Sequence, residues 1–256
     1  MSLRVPVVLF AYNRPRHLQR TLESLKQNRV PLIYAFCDGP KSSDDVEKVS
    51  EVHRILHEVD WCEIHITRRE TNLGLGVSIR TGVSEVFQKH EMLLVFEDDL
   101  ICVPGTYQYL CSALEHYKDT PNVMSVTGFN HPLNTPKDVT DQPYFDGRAD
   151  CLVWGSWARA WDGMHEPAEK LIERCLEKGI DPYRYGSSLP AMAKAELQRN
   201  IWAVRFLYLH ILEGGLCLRP PYSMVEHIGA ERDATNTSPD PWPAPPLKGL
   251  PPIPGP

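Results

Sequence analysis

The sequence predicts an α/β protein on a mostly parallel, doubly wound central sheet, and three observations carry that prediction. Short apolar runs alternate with helix-period segments through the first hundred residues, several of those runs are apolar throughout, and most end in polar, ligand-capable side chains. A strand covered on both faces reads as a continuous apolar run, and strands alternating with helices at this spacing belong to β–α–β units.

The elements follow in order. Val5 to Ala11 is a first strand, and Pro15 opens a helix whose Leu18, Leu22 and Leu25 fall at i, i+4 and i+7. Leu32 to Cys37 is a second strand; Val46, Val49, Val52, Ile55, Leu56 and Val59 make the stripe of a second helix behind Asp44 and Asp45. Cys62 to Thr67 is a third strand. The loop Glu70 to Gly76 leads to a helix ending near Lys89, with Val83, Val86 and Phe87 inward, and Met92 to Phe96 is a buried fourth strand. The second half is less regular: a helix over Pro104 to Lys118, a strand over Val123 to Gly128, and a long polar loop from Asn130 to Arg148. An aromatic cluster follows, then helical stretches over Ala168 to Lys178 and Ala191 to Glu213, and a strand over Leu216 to Arg219. From Pro239 onward proline dominates, which predicts an extended tail or a linker to a further domain.

Composition narrows the class. The 256 residues carry a net charge of −6, too acidic for a broad nucleic-acid or anionic-membrane surface, so any phosphate must be met locally. No early apolar run is long enough to span a bilayer. The expectation is a cytoplasmic protein, with a place at the periphery of the inner membrane left open. Seven scattered cysteines fit reduced, buried thiols better than a disulfide framework.

The chemistry concentrates where strands end. Glu97, Asp98 and Asp99 close a buried strand, which is costly unless a cation or hydrogen-bond donors compensate. A hard divalent cation, Mg2+ or Mn2+, takes one or two protein carboxylates and completes its shell from substrate phosphates. The competing reading makes these acids a cap for the helix near Pro104. After the first strand, Ala11, Tyr12, Asn13 and Arg14 lead into a helix: Arg14 suits phosphate and Tyr12 a nucleobase, while Asn13 equally suits an N-cap. Asp38 ends the second strand at the same edge. Asn72, Gly74 and Gly76 precede a helix carrying Ser78 and Arg80, and glycines there let a ligand approach the backbone.

Read this far, the chain resembles the GT-A glycosyltransferases, and more closely bacterial relatives of animal alpha-1,3-mannosyl-glycoprotein beta-1,2-N-acetylglucosaminyltransferase and the large inverting family of bacterial polysaccharide glycosyltransferases. Leu94-Val95-Phe96-Glu97-Asp98-Asp99-Leu100, with Val103-Pro104 behind it, is similar to the Glu-Asp-Asp form of that family's Asp-x-Asp motif. The resemblance implies that Asp99 ligates Mn2+ and that Glu97 and Asp98 contact the ribose and uracil of a UDP-linked donor, UDP-GlcNAc being the named candidate. It implies that Asp38 contacts the base and that the Ala11 to Arg14 loop surrounds the nucleoside. Ser125 to Asn130 and Trp154-Gly155-Ser156-Trp157 look like stretches lining the sugar and a saccharide acceptor, and Trp202-Ala203-Val204-Arg205 sits where relatives have a similar string. Trp161 and Trp202 are read as core.

The chain departs from the pattern at the catalytic base. Relatives carry acids after the tryptophan that matches Trp202, where this chain has Ala203 and Val204; Asp162 and Glu231 are the substitutes, chosen by their place near acceptor-side segments. Relatives also end in Thr-His where this chain has Thr235-Asn236, which leaves His227 as the candidate further metal ligand. The expected organisation is a glycosyltransferase domain over 1–238, split into a nucleotide half (1–100) and a sugar and acceptor half (101–238), with 239–256 as the tail. Two other classes compete: a sugar-phosphate nucleotidyltransferase, which needs a glycine-rich basic loop after the first strand, and a non-catalytic nucleotide- or glycan-binding module. A Rossmann redox domain is disfavoured because no glycine fingerprint follows the first strand.

Overall fold

The structure, a computed structural model, describes residues 4–131, 135–139 and 141–229. The first half runs β1 (Val7–Ala11), α1 (Pro15–Gln27), β2 (Leu32–Cys37), α2 (Val46–His57), β3 (Glu63–Arg68), α3 (Leu75–Phe87) and β4 (Met92–Glu97). The second runs β5 (Leu100–Cys102), α4 (Thr106–His116), β6 (Val123–Thr127), β7 (Tyr144–Asp146), β8 (Trp154–Trp157), α5 (Ala158–Trp161), α6 (Ala168–Glu177), α7 (Leu189–Arg199), α8 (Ala203–Glu213), β9 (Leu216–Arg219) and β10 (Val225–His227).

Among the described residues, eight strands form one sheet in the order β3-β2-β1-β4-β8-β6-β9-β7, and β10 pairs with β5 in a separate antiparallel ribbon. Strands β1 to β4 are parallel; β8 enters antiparallel between β4 and β6, with Met92 opposite Trp157 and Val95 opposite Trp154. Successive side chains serve opposite faces, as the two-residue period of a strand requires. Val7, Leu9 and Ala11 join the core beneath α1, α2 and α4, while Val8 and Phe10 join the core beneath α3 and α5 to α8.

The strand order reverses at β1, whose chain leaves toward β2 while β4 arrives on its other side. The carboxyl ends of β1 and β4 therefore flank a crevice at a topological switch point, the usual ligand position in open α/β sheets.

Three expectations are revised. The aromatic stretch Trp154 to Trp157 is a strand. The helix read across Ala191 to Glu213 is two helices, broken where Asn200 takes a left-handed φ of 54°. The loop after Asn130 contains β7, which pairs with β9. All seven cysteines are free thiols, and no helix among the described residues is long and apolar enough to cross a membrane. Glu231, Thr235, Asn236 and the proline-rich tail lie outside the described residues.

Candidate active site

Chain reversal after β4 gathers the acids. β4 ends at Glu97, Asp98 and Asp99 form the turn, and β5 leaves to pair with β10, which brings His227 opposite Leu100. Asp99 is then compensated by groups distant in sequence: Arg14 Nη1 lies 2.8 Å from its Oδ2, and His227 Nε2 lies 3.2 Å from the same oxygen. The Ile228 amide donates to the Asp99 carbonyl at 2.9 Å, and the His17 ring meets the Ile228 carbonyl at 3.2 Å. Gly229 closes over this cluster so tightly that an added Cβ would lie 2.0 Å from Asp99 Oδ2.

Asp98 Oδ2 accepts the Tyr12 amide at 3.0 Å, which ties the end of β4 to the end of β1. Burial and the neighbouring Asp99 charge push Asp98 up to about 7, although the Tyr12 amide and Arg14 oppose this. Burial, then Asp99 and Asp98, push Glu97 up to about 8. Burial works against the charge on Asp99 too, but the His227 hydrogen bond, with the charges of His227, Arg14 and His17, outweighs it and holds that carboxyl below its ordinary range. The triplet is thus a site of unequal acids: its partners hold Asp99 toward the ionised form, while burial and mutual repulsion hold Asp98 and Glu97 toward the neutral form.

Among the described residues no three His, Cys, Asp or Glu side chains converge as a metal cage. Asp99 and His227 offer two ligands side by side, which suits a hard cation that keeps waters and takes substrate phosphate oxygens.

The flanking loops are organised by two other acids. Asp38 accepts the Leu73 amide with both oxygens, at 2.9 and 3.1 Å, the Gly74 amide at 2.9 Å and the Gly39 amide at 3.2 Å. Asn72 Nδ2 adds a bond to the Gly39 carbonyl at 3.0 Å. Asp45 accepts the Tyr12 hydroxyl at 2.8 Å and Asn13 Nδ2 at 2.7 Å. Asn13 is therefore not the helix cap; Arg14 occupies that position, with no side-chain cap bond.

Other sequence-predicted residues are placed elsewhere, for identifiable reasons. Trp154 is stacked on Trp161 at 5.5 Å and on Trp202 at 5.4 Å in the core, so it presents no face to a sugar. Trp157 is buried on the other face of the sheet, Gly155 lets Leu94, Leu114 and Val126 close over β8, and Ser156 donates to the Met124 carbonyl. Asn130 is spent on Thr135, Tyr144 and the Pro220 carbonyl. A buried guanidinium must be paired: Arg205 is held by Glu196 and the Met164 and His165 carbonyls, with Arg80 3.7 Å from the same Glu196. Ser78 accepts from Arg69. Asp162 follows β8 and α5 at the amino end of β4, where the Ala158 amide meets the Glu91 carbonyl. Roughly 17 Å of strand lies between that end of β4 and the acids.

Sequence reading missed the roles of Asp45 and His17, which depend on partners far along the chain; the resemblance did pick out Ile228-Gly229 as a stretch where relatives have a similar string, without a role for Gly229. It also missed Asn200, whose Nδ2 donates to the Leu73 carbonyl at 3.2 Å and which leaves no room for side chains on Gly74 or Gly76.

A doubly wound sheet with an acid triplet at its switch point, extended by an antiparallel strand and a separate two-stranded ribbon, is a GT-A type fold. The description of glycosyl transferase family 2 matches residues 7–155, and the chain belongs to that family. Two solved structures share the fold: mannosyltransferase PcManGT from Pyrobaculum calidifontis, in complex with GDP-Man and Mn2+, and residues 1–349 of S. aureus TarS. Each is 13% identical, has a TM-score of 0.50 and covers 90% of this chain. The chain spans 58% and 61% of their respective lengths. No curated protein sequence matches it.

Proposed function

We propose that this chain transfers a sugar from a UDP-linked donor, UDP-GlcNAc being the first candidate, to a saccharide acceptor in surface polysaccharide or glycan synthesis, with inversion at the anomeric carbon. The observation that carries the reading is the convergence of Asp99, His227 and Arg14 beside Asp98, which is itself bonded to the end of β1. Asp99 and His227 would hold Mn2+ or Mg2+, which supplies Lewis-acid stabilisation of the departing diphosphate. Arg14 and the amino end of α1 would add positive potential where that charge develops. Glu97, Asp98 and the Tyr12 loop are assigned to the nucleoside side, and the Asn72 to Gly74 loop, shaped by Asp38, to its wall. An inverting transfer needs a base for the acceptor hydroxyl; with Asp162 at the far end of the sheet, Glu231 is the remaining candidate from the sequence. The Mn2+ complex of the mannosyltransferase and the resemblance to N-acetylglucosaminyltransferases support the metal and the donor class.

Calorimetric titration of nucleoside diphosphates and their sugars, with Mn2+ and with a chelator, tests this. Metal-dependent binding of one nucleotide, abolished by Asp99→Ala with the fold intact, is expected. Unchanged affinity in that variant would defeat the metal assignment, and binding without donor hydrolysis or transfer would favour a non-catalytic module, the reading kept alive by Ala203 and Val204.

A further inference from the structure

A groove opens beside the acid cluster, between α1 and β5. It holds about 400 Å³ and is lined by Arg16, Gln19, Arg20, Glu23 and Gln27 from α1 and by Ile101 from β5, a volume within the range of ligand pockets. Both walls begin at the acids: Arg14, two residues before Arg16, lies on Asp99, two residues before Ile101. From Arg16 to Gln27 the helix wall runs about 16 Å. The floor is pinned, because the Cys102 amide donates to Ser24 Oγ at 3.4 Å and Asn28 Nδ2 reaches Cys102 Sγ at 3.4 Å.

The charge of this groove is unbalanced. Elsewhere on the surface Arg54, Lys118, Lys170 and Arg174 each have an acidic partner. Arg16 and Arg20, both exposed and one helical turn apart, have none among the described residues. In a chain of net charge −6, two unpaired guanidiniums lining one groove mark it for an anion. Guanidinium forks take a carboxylate or a phosphate in bidentate fashion, and a side-chain amide such as Gln19 suits hydroxyls. Glu23, which accepts from Gln27 Nε2 at 3.1 Å, leaves the groove at a net charge of about +1 and adds an acceptor. A uniformly charged polymer would be repelled by that carboxylate, whereas a chain with occasional acidic groups among neutral, hydroxyl-bearing units would not.

We propose that the groove between α1 and β5 binds an acidic oligosaccharide, with carboxylate or phosphate groups on Arg16 and Arg20 and hydroxyls on Gln19 and Glu23. The inference rests on the glycosyl-transfer reading above and specifies its acceptor: an anionic saccharide whose chain lies along α1, away from the reacting end at the acid cluster.

The test is calorimetric titration of the full chain, as wild type, Arg16→Gln, Arg20→Gln and Lys26→Gln. The probes are tetragalacturonate, singly phosphorylated maltotetraose, unmodified maltotetraose, inorganic phosphate and phosphatidylglycerol vesicles. At least one acidic tetrasaccharide should bind, about tenfold or more tighter than unmodified maltotetraose or phosphate. Each groove substitution should weaken it about tenfold, as the loss of one charge-assisted contact implies. Lys26→Gln removes the same charge from an exposed position of α1 outside the groove and should leave binding unchanged. The melting temperature, and UDP or GDP binding at saturating Mn2+, should match wild type in all three variants. Equal losses in all three would reduce the effect to general electrostatics, tight binding of phosphate alone would make this a bare anion site, and binding of vesicles without saccharides would make α1 a membrane face. Each of these overturns the proposal, as does the absence of any acidic-saccharide binding while nucleotide still binds. If the acidic tetrasaccharide binds through both arginines and no nucleotide binds, the groove stands and the glycosyl-transfer reading falls.

Discussion

Asp38 offers a clean separation between two jobs for one carboxylate. The family resemblance assigns it to the nucleobase, yet its two oxygens take the amides of Gly39, Leu73 and Gly74 and so hold the loop that opens α3. Asp38→Asn preserves the shape, removes the charge and turns an NH2 group toward at least one of those amides. Hydrogen bonds to a charged acceptor contribute roughly 1.5–3 kcal/mol each, and a buried amide left without a partner adds to the loss. Since Asp38 is buried at 7% exposure, water compensates poorly, and the expected loss is about 3 kcal/mol. For a domain of this size that lowers Tm by roughly 6–12 °C. Urea denaturation read by circular dichroism, extrapolated to water, measures the loss directly. Cleavage by a protease near Leu73 should rise in parallel, because the loop loses its anchor. An Asp38→Asn variant within about 0.5 kcal/mol of wild type would refute the anchoring role, and lost nucleotide binding in that stable variant would place the carboxylate on the ligand.

Two further outcomes follow from the geometry. His210 is fully buried, with Nδ1 donating to the Phe206 carbonyl and Nε2 accepting from Ser125, and burial lowers it to about 4. The unfolded chain gains this proton near pH 6.5 and the folded chain only near 4, so stability is full above 6.5 and falls by about 3 kcal/mol on the way to pH 4. Urea midpoints across that window should fall less in His210→Gln than in wild type, and parallel curves would refute the assignment. Gly229→Ala forces a methyl against Asp99 Oδ2 and Arg14 Nη1; it should weaken Mn2+-dependent nucleotide binding at least tenfold in calorimetry while the melting temperature moves by only a few degrees, and unaltered binding would show that Gly229 does not close the site.

Much of the first half was legible because its strands are buried on both sides: Val7 to Ala11 and Leu93 to Phe96 are consecutive apolar runs with no competing period. The acid triplet was legible because three carboxylates at the end of such a run demand compensation. The second half hid its strands. Tyr144 to Asp146 and Val225 to His227 are three residues each and exist only through pairing with partners far away. Trp154 to Trp157 was opaque for another reason, since tryptophan faces suit a sugar or a core equally and only the register with β4 decides. The same limit applies to single residues. Nothing local marks Asp45 as the partner of Tyr12, or Arg205 as the counter-charge of Glu196.

Asn200 joins what the chain order separates. It stands between α7 and α8, in the second half of the chain, yet it donates to Leu73 and fills the space above Gly74 and Gly76 in the first half. The two halves are therefore not interchangeable parts. Grafting another family member's sequence after residue 101 would discard this latch and leave two glycines facing an emptied surface. Any exchange of one half of the chain must therefore keep this asparagine or rebuild its contact with the loop that opens α3.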